Sequence, residues 1–151
     1  MTVTERPKLP AADPAIRLAR PADVPRLVAI RAAVRENRLA DPASIAAADY
    51  APYIADGRCW VWAPDGAPAG FAALDSASAT IWALFVAPEA EGQGGARALL
   101  AHLLAEARRR GLAELRLTTE SGSRAELFYR AAGWEASGEQ AEGGIVMRLR
   151  L

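Results

Sequence analysis

The chain has 151 residues, of which 52% are hydrophobic and 24% are charged, so one domain with a packed core is expected. Its 18 Lys and Arg residues balance 18 Asp and Glu residues, which gives no reason to expect a nucleic acid or a membrane surface as partner. The single cysteine, Cys59, excludes an intrachain disulfide framework and a Cys-rich metal site, and we expect no metal.

Residues 1–14 are polar and contain prolines, and they predict a flexible tail ahead of a single domain at 15–151. The tail lacks the apolar core of a signal peptide. No stretch of the chain approaches the ~18 apolar residues of a membrane span. We therefore expect a cytoplasmic protein, and the sequence leaves monomer and homodimer open.

The first half of the domain is predicted from alternation and helical spacing. The expected elements are a strand at 16–20, a helix from Pro21 to near Asn37, a helical segment from Asp41 to Gly57, and strands at 58–63, 69–75 and 80–86. Arg31 interrupts the apolar stripe of the first helix. Trp60 and Trp62 are two residues apart, which favours one packed sheet face. The nearly continuous apolar run at 81–86 predicts a strand buried on both faces.

The second half predicts a helix from Ala96 to Arg110, a strand at 112–119, a helix at 123–132 and strands at 134–137 and 145–151. His102, the only histidine, is expected to face solvent opposite the leucine stripe of its helix. A hairpin meander followed by a β–α–β crossover indicates a mixed α/β domain. We expect a central, twisted, mostly antiparallel sheet flanked by about four helices.

A glycine-rich loop at 91–95 joins the strand ending at Val86 to the helix containing Leu100. Such a turn exposes consecutive backbone N–H groups at a helix N-terminus, where a pyrophosphate binds well. Glycine allows the backbone to approach the phosphates closely. No Lys-Ser/Thr follows, which argues against a P-loop, and residues 92–97 fit the dinucleotide fingerprint poorly.

Two blocks carry a resemblance to a known family. Phe85-Val86-Ala87-Pro88 followed by 91–100 resembles motif A of the GNAT superfamily of acyl-CoA-dependent N-acetyltransferases, Arg/Gln-x-x-Gly-x-Gly/Ala. Residues 125–134 resemble the family's Ala-x-x-x-Tyr-x-x-x-Gly-Phe segment, and the likeness covers 15–151. Glu91 departs from the usual Arg or Gln. Gly122 departs from the usual Asn, so that contacts to the pantetheine arm are expected from Ser121 or Ser123 instead.

The resemblance implies that acetyl-CoA is the co-substrate. A primary amine, in a small molecule, a peptide N-terminus or a lysine, would attack the thioester directly in a ternary complex. The thioester would lie in a gap between the strands of Val86 and Leu117. The implied cofactor-binding residues are Leu84, Phe85, Val86, Gly92, Gln93, Gly94, Gly95, Ala96 and Arg97.

Tyr129 occupies the family's tyrosine position and is the candidate for protonating the departing thiolate. A free tyrosine has a pKa of about 10 and a thiol one of about 8.5, so full proton transfer is uphill. Tyr129 must therefore be acidified, or it must stabilise the thiolate mainly by hydrogen bonding. A structural role as a core tyrosine is the alternative.

The acceptor side is less determined. Asn37, Asp75 and Trp82 are predicted to bind the acceptor, with Arg35, Tyr50 and Tyr53 as further lining candidates. Trp82 is expected to point away from Ile81, Ala83 and Phe85, and a core position fits it equally well. The general base stays open among Asp75, Glu120 and Glu36, each of which also fits a solvated surface carboxylate.

Two other functions remain open. A non-catalytic acyl-CoA-binding sensor or interaction domain would share the loop and would differ at Tyr129 and in the acceptor channel. A nucleotide-binding module is disfavoured by the missing Lys-Ser/Thr.

Overall fold

The structure, a computed structural model, describes residues 13–34 and 45–151, apart from the side chains of 139–141. Most of the predicted tail, the predicted helix end near Asn37 and the predicted start at Asp41 lie outside the described residues. The strands are β1 Ile16–Leu18, β2 Cys59–Trp62, β3 Gly70–Asp75, β4 Thr80–Val86, β5 Glu114–Glu120, β6 Glu135–Ala141 and β7 Gly144–Arg150. The helices are α1 Val24–Ala33, α2 Ala51–Ala55, α3 Gly95–Arg109 and α4 Arg124–Ala131.

Over the described residues, the seven strands form one sheet in the order β1-β2-β3-β4-β5-β7-β6. Neighbouring strands are antiparallel except β4 and β5, which are parallel. A parallel pair needs a long crossover, and α3 provides it. The predicted mixed α/β domain, with a mostly antiparallel sheet and flanking helices, is confirmed.

The helices cover opposite faces of the sheet. A Cβ at Gly70 of β3 would touch Leu99 of α3, whereas the next residue, Phe71, packs its ring 5.8 Å from the ring of Tyr50. Successive side chains of a strand point to opposite faces, so α3 lies on one face and the Tyr50 region on the other. Trp60 and Trp62 are both buried, and their contacts with His102 and Gly95 place them under α3. The single packed face predicted for the two tryptophans is confirmed.

The expectation that His102 faces solvent is wrong. Its ring lies half-buried, 5.3 Å from the ring of Trp60, and burial lowers the pKa of its imidazole. The physical reason is that α3 packs across β2 as well as β3 and β4, so its buried stripe is wider than the leucine row alone.

Strand β4 has the predicted bounds but an irregular register. Ala83 pairs with Ala73 and Ile81 pairs with Leu74, so Trp82 is an extra residue in β4, a β-bulge. An extra residue shifts the alternation of side chains by one. The expectation that Trp82 points away from Phe85 is therefore wrong, because the guanidinium carbon of Arg31 lies 5.0 Å from the Trp82 ring and 4.9 Å from the Phe85 ring.

Strand β4 contacts α3 and α1, on its two faces as predicted, but its side chains are less buried than expected. Within this fully described strand, Ala83 is buried and the other six residues are half-buried. The register of β4 with β5 consists of one pair, Thr80 opposite Arg116. Beyond that pair the two strands separate, and this separation leaves the remainder of one β4 edge open.

Candidate active site

The loop before α3 exposes backbone N–H groups at the start of the helix, and such groups suit an anion. Gly92 and Gly94 have φ angles of +78° and +83°, and a Cβ at either would meet no atom within 4 Å. Gly94 is the N-cap residue of α3, and no side chain of the described residues caps it. Ala98 donates its N–H to the Gly94 carbonyl at 3.0 Å, so the N–H groups of 95–97 precede the first helical hydrogen bond. This arrangement fits the pyrophosphate of CoA.

Gly95 serves a different purpose from Gly94. A Cβ at Gly95 would lie 2.5 Å from the ring of Trp62, far inside contact distance. The glycine therefore allows the first turn of α3 to lie directly on β2, which fixes where the free N–H groups point. Of the other loop residues predicted to bind the cofactor, Gln93 and Arg97 are exposed and Ala96 is half-buried.

Glu91, which replaces the family's Arg or Gln, pairs with a cation. Its carboxylate lies at the surface and accepts a hydrogen bond from Nη2 of Arg124 at 3.2 Å. Arg124 is the first residue of α4, so this contact links the loop to that helix. The arginine offsets the negative charge that Glu91 places beside the loop.

Of Ser121 and Ser123, the two serines predicted to replace the family's Asn, one is already engaged in hydrogen bonds within the protein. The Ser123 hydroxyl donates to the Glu120 carbonyl at 2.6 Å and accepts the Glu126 N–H at 3.1 Å, which makes it the N-cap of α4. Gly122 donates its N–H to the Glu126 carboxylate at 3.0 Å. Ser121 is exposed and is the better placed of the two serines to contact a ligand.

The open edge of β4 presents backbone groups to the gap. Ala87 donates its N–H to Ala69 of the β3 side at 2.8 Å, and Phe85 is in register with Phe71. Hydrogen-bonded and non-hydrogen-bonded pairs alternate along an antiparallel ladder. The N–H and C=O groups of Leu84 and Val86 therefore face away from β3, toward the region where β5 has separated. An extended amide chain, such as a pantetheine arm, can pair with such an edge.

Tyr129 lies on α4 and is 6% exposed. Its ring is 5.2 Å from the ring of Phe128 and 5.4 Å from that of Trp134. Burial raises the pKa of the Tyr129 hydroxyl well above the usual value. The hydroxyl is therefore not acidified, and it can act as a protonated hydrogen-bond donor.

Of the predicted acceptor residues, Trp82 and Asp75 lie on the α1–α2 face of the sheet. The Trp82 ring stacks on Tyr53, with centroids 4.4 Å apart, and meets Tyr50 edge-on at 5.1 Å. Trp82, Tyr53 and Asp75 line an open cleft of about 510 Å³. The Asp75 carboxylate accepts the N–H groups of residues 77 and 78, so it also has a structural role in the β3–β4 turn. Asn37, Arg35 and Glu36 lie outside the described residues.

Sequence reasoning missed Arg31 as a candidate site residue. It is 8% exposed and lies over Trp82 and Phe85, and its Nε and Nη1 atoms have no hydrogen-bond partner among the described residues. The available signal was its position in the otherwise apolar stripe of α1. A charged residue on the buried side of a helix needs a polar partner, and a ligand can supply one.

Other kinds of site find no support in the described part of the chain. No group of three or more His, Cys, Asp or Glu residues there is placed to hold a metal ion. No helix in those ranges has the length and apolar character needed to cross a membrane. Cys59 is buried, and burial raises its pKa to about 12, so its thiol is not an activated nucleophile.

Residues 27–134, more than half of the chain, match the acetyltransferase (GNAT) family. The chain belongs to this family. No curated protein matches the sequence significantly.

Three solved structures, two of them N-acetyltransferases, resemble this GNAT domain. The ribosomal-protein-S18-alanine N-acetyltransferase of Escherichia coli is 25% identical with a TM-score of 0.70, over 89% of this chain and 92% of that one. The ribosomal-protein-alanine N-acetyltransferase of Brucella melitensis is 27% identical with a TM-score of 0.68, over 90% and 99%. The yncA protein of Salmonella typhimurium, solved with its cofactor acetyl-CoA, is 25% identical with a TM-score of 0.67, over 90% and 92%. Family and neighbours support acyltransferase chemistry and acyl-CoA binding.

Proposed function

We propose that residues 15–151 act as one N-acetyltransferase domain that transfers an acetyl group from acetyl-CoA to a primary amine by direct attack in a ternary complex. The observation that carries the proposal is the uncapped N-terminus of α3 beside the open edge of β4. Family membership and the acetyl-CoA complex of the yncA neighbour favour the same donor.

The donor side works through backbone groups. The N–H groups of residues 92–97 hold the pyrophosphate, and the outward backbone groups of Leu84 and Val86 hold the pantetheine arm. Acetyl-CoA supplies the acetyl group in activated form, as a thioester. The Leu84 N–H is placed to polarise the thioester carbonyl, as an oxyanion-hole donor does. Fixing donor and acceptor together removes much of the entropic barrier to attack.

Tyr129 stabilises the leaving group, which is the thiolate of CoA. Since burial raises the pKa of its hydroxyl, the proton stays on the tyrosine oxygen across the working pH range. The hydroxyl then stabilises the developing thiolate by donating a hydrogen bond rather than by complete proton transfer. The amine must be neutral to attack, and a side chain or a water takes its proton. Asp75 and Glu120 are the described carboxylates that remain candidates.

A thiol-release assay with acetyl-CoA across a panel of small amines, amino acids and peptides tests the proposal. We expect release of free CoA that requires both the protein and an amine, and mass spectrometry should identify the N-acetylated product. Acetyl-CoA binding with no turnover of any amine would favour the sensor function. Failure to bind acetyl-CoA would reject the donor site itself.

A further inference from the structure

Arg31 is a buried cation whose charge nothing in the described chain neutralises. It is 8% exposed, and two of its three guanidinium nitrogens, Nε and Nη1, are buried without a hydrogen-bond partner among the described residues. A guanidinium removed from water loses a large hydration energy, which an anion or several acceptors must replace. The rings of Trp82 and Phe85 attract the cation, but they do not satisfy its N–H groups.

The nearby aspartates of the cleft already have donors of their own. Asp75 accepts backbone N–H groups at residues 77 and 78, and Asp49 accepts the N–H of Ala46. Asp56 pairs with Arg58 at 2.7 Å. None of these carboxylates bonds Arg31, so among the described residues no carboxylate supplies an acceptor for its Nε and Nη1 atoms.

Tyr50 supplies a second unpartnered polar group at the same place. Its side chain is fully buried, and its hydroxyl has no hydrogen-bond partner within the described ranges. Burial raises the pKa of the Tyr50 hydroxyl, and a hydrogen-bonding contact with the Arg31 guanidinium acts in the opposite direction, although no hydrogen bond of good geometry joins the two side chains. Both are hydrogen-bond donors, and one oxyanion can accept from both.

We infer that Arg31 and Tyr50 bind a carboxylate of the acceptor, so that the substrate class is an amine that carries a free carboxylate, such as an amino acid. The inference rests on the proposed function and narrows its substrate. An amide or hydroxyl would leave the guanidinium charge uncompensated, whereas a carboxylate satisfies both charge and hydrogen bonds.

The position of Arg31 suits a substrate whose carboxylate lies at Arg31 while its amine reaches the thioester gap. Its guanidinium lies against Phe85, the direct neighbour of Leu84, whose backbone faces the gap. A carboxylate at Arg31 therefore anchors the acceptor on the α1–α2 face of β4, close to the open edge. The aromatic walls of Trp82 and Phe85 exclude water around the ion pair and strengthen it.

The test compares matched sets of three acceptors, each consisting of an L-amino acid, its carboxamide and its decarboxylated amine. A series of ω-amino acids is assayed beside these sets. For the wild type we expect kcat/KM for the free acid to exceed that for the amide at least about 30-fold, as for a buried charge pair that loses one partner. In Arg31→Met, which keeps an unbranched side chain, we expect the acid and amide rates to converge within about 3-fold. The acetyl-CoA affinity should stay unchanged.

Arg108→Met is the matched control, because Arg108 is exposed near the C-terminal end of α3, away from the loop. It should keep the full preference for acids. Tyr50→Phe keeps the packed ring and should lower the preference by about 3- to 10-fold, and it serves as the test if Arg31→Met does not fold.

The outcomes separate this inference from the proposed function. Turnover of amides and simple amines as fast as acids would overturn the carboxylate site and leave the acetyltransferase intact. If no amine is acetylated, the proposed function fails, and thermal shifts with the same acids and amides still decide the site. Stabilisation by the acid that is absent with the amide and reduced in Tyr50→Phe would support the site. Equal shifts would overturn it.

Discussion

The proposed donor loop at residues 92–97 and the proposed acceptor face around Arg31, Tyr50 and Trp82 would recognise their ligands by different means. The loop is contiguous in the chain and uses backbone N–H groups at the start of α3. The acceptor face combines side chains from α1, the turn before α2 and the bulge of β4. Recognition through backbone groups tolerates changes of side chain, whereas recognition through side chains depends on the identity of each residue. We therefore expect the acceptor face to determine substrate specificity.

Gly94→Glu, a change in the loop alone, should have the largest effect on acetyl-CoA affinity. The substitution places bulk and negative charge where phosphate binds, so acetyl-CoA affinity should fall at least about 100-fold, or about 2.8 kcal/mol. Calorimetry measures the affinity, and the thermal stabilisation by acetyl-CoA should disappear with it. Gly66→Glu is the control, since Gly66 also has a positive φ, of +91°, and open space around it, but lies in the β2–β3 turn. Unchanged binding by a folded Gly94→Glu protein would remove the loop from the site.

Tyr129→Phe tests the chemistry between the two regions. The variant keeps the buried ring and removes the donor hydroxyl, so kcat should fall by about 10- to 100-fold. The melting temperature and acetyl-CoA affinity should change little. An acyl donor with a more acidic leaving thiol should reduce the loss, because a better leaving group needs less stabilisation. Turnover like that of the wild type would make Tyr129 purely structural.

Trp82→Ala probes the acceptor face without touching the loop. Because Trp82 contacts Tyr53, Tyr50 and Arg31, we expect about a 10-fold change in relative kcat/KM among acceptors. Acetyl-CoA affinity should change by less than about 3-fold, since the outward backbone of Leu84 and Val86 is unaltered. Removing a large aromatic costs up to about 3–5 kcal/mol, so thermal unfolding must show a folded variant, and Trp82→Phe is the milder substitution. A collapse of cofactor affinity with unchanged acceptor preference would contradict this placement.

Glu91→Gln should have the smallest effect. Removing one negative charge beside the loop should raise acetyl-CoA affinity about 2-fold at low salt, and the gain should shrink as salt screens the charges. Glu114→Gln changes the same charge at the opposite end of the sheet, at the start of β5, and should leave affinity unchanged. A lower affinity in Glu91→Gln would mean that the Glu91–Arg124 contact shapes the loop.

Much of the fold was predictable because its signals are local. The bounds of β4, the hairpin of β2 and β3, and the long helix α3 follow from alternation, turn residues and leucine spacing. The loop was predictable for the same reason, since its glycines and the start of α3 are adjacent in the chain. The acceptor face was not, because Arg31, Tyr50 and Trp82 are far apart in sequence and periodicity carries no information about their meeting.

The amino-acid sequence by itself determined the GNAT family, the order of elements and the location of the glycine-rich loop proposed to bind phosphate, because each depends on residues close together along the chain. Only the tertiary structure decided that a bulge turns Trp82 toward Phe85, and that Arg31 is buried with Nε and Nη1 unpaired among the described residues. Strand register and burial result from packing between distant segments. A single extra residue in one strand therefore reverses a side-chain direction that alternation alone predicts.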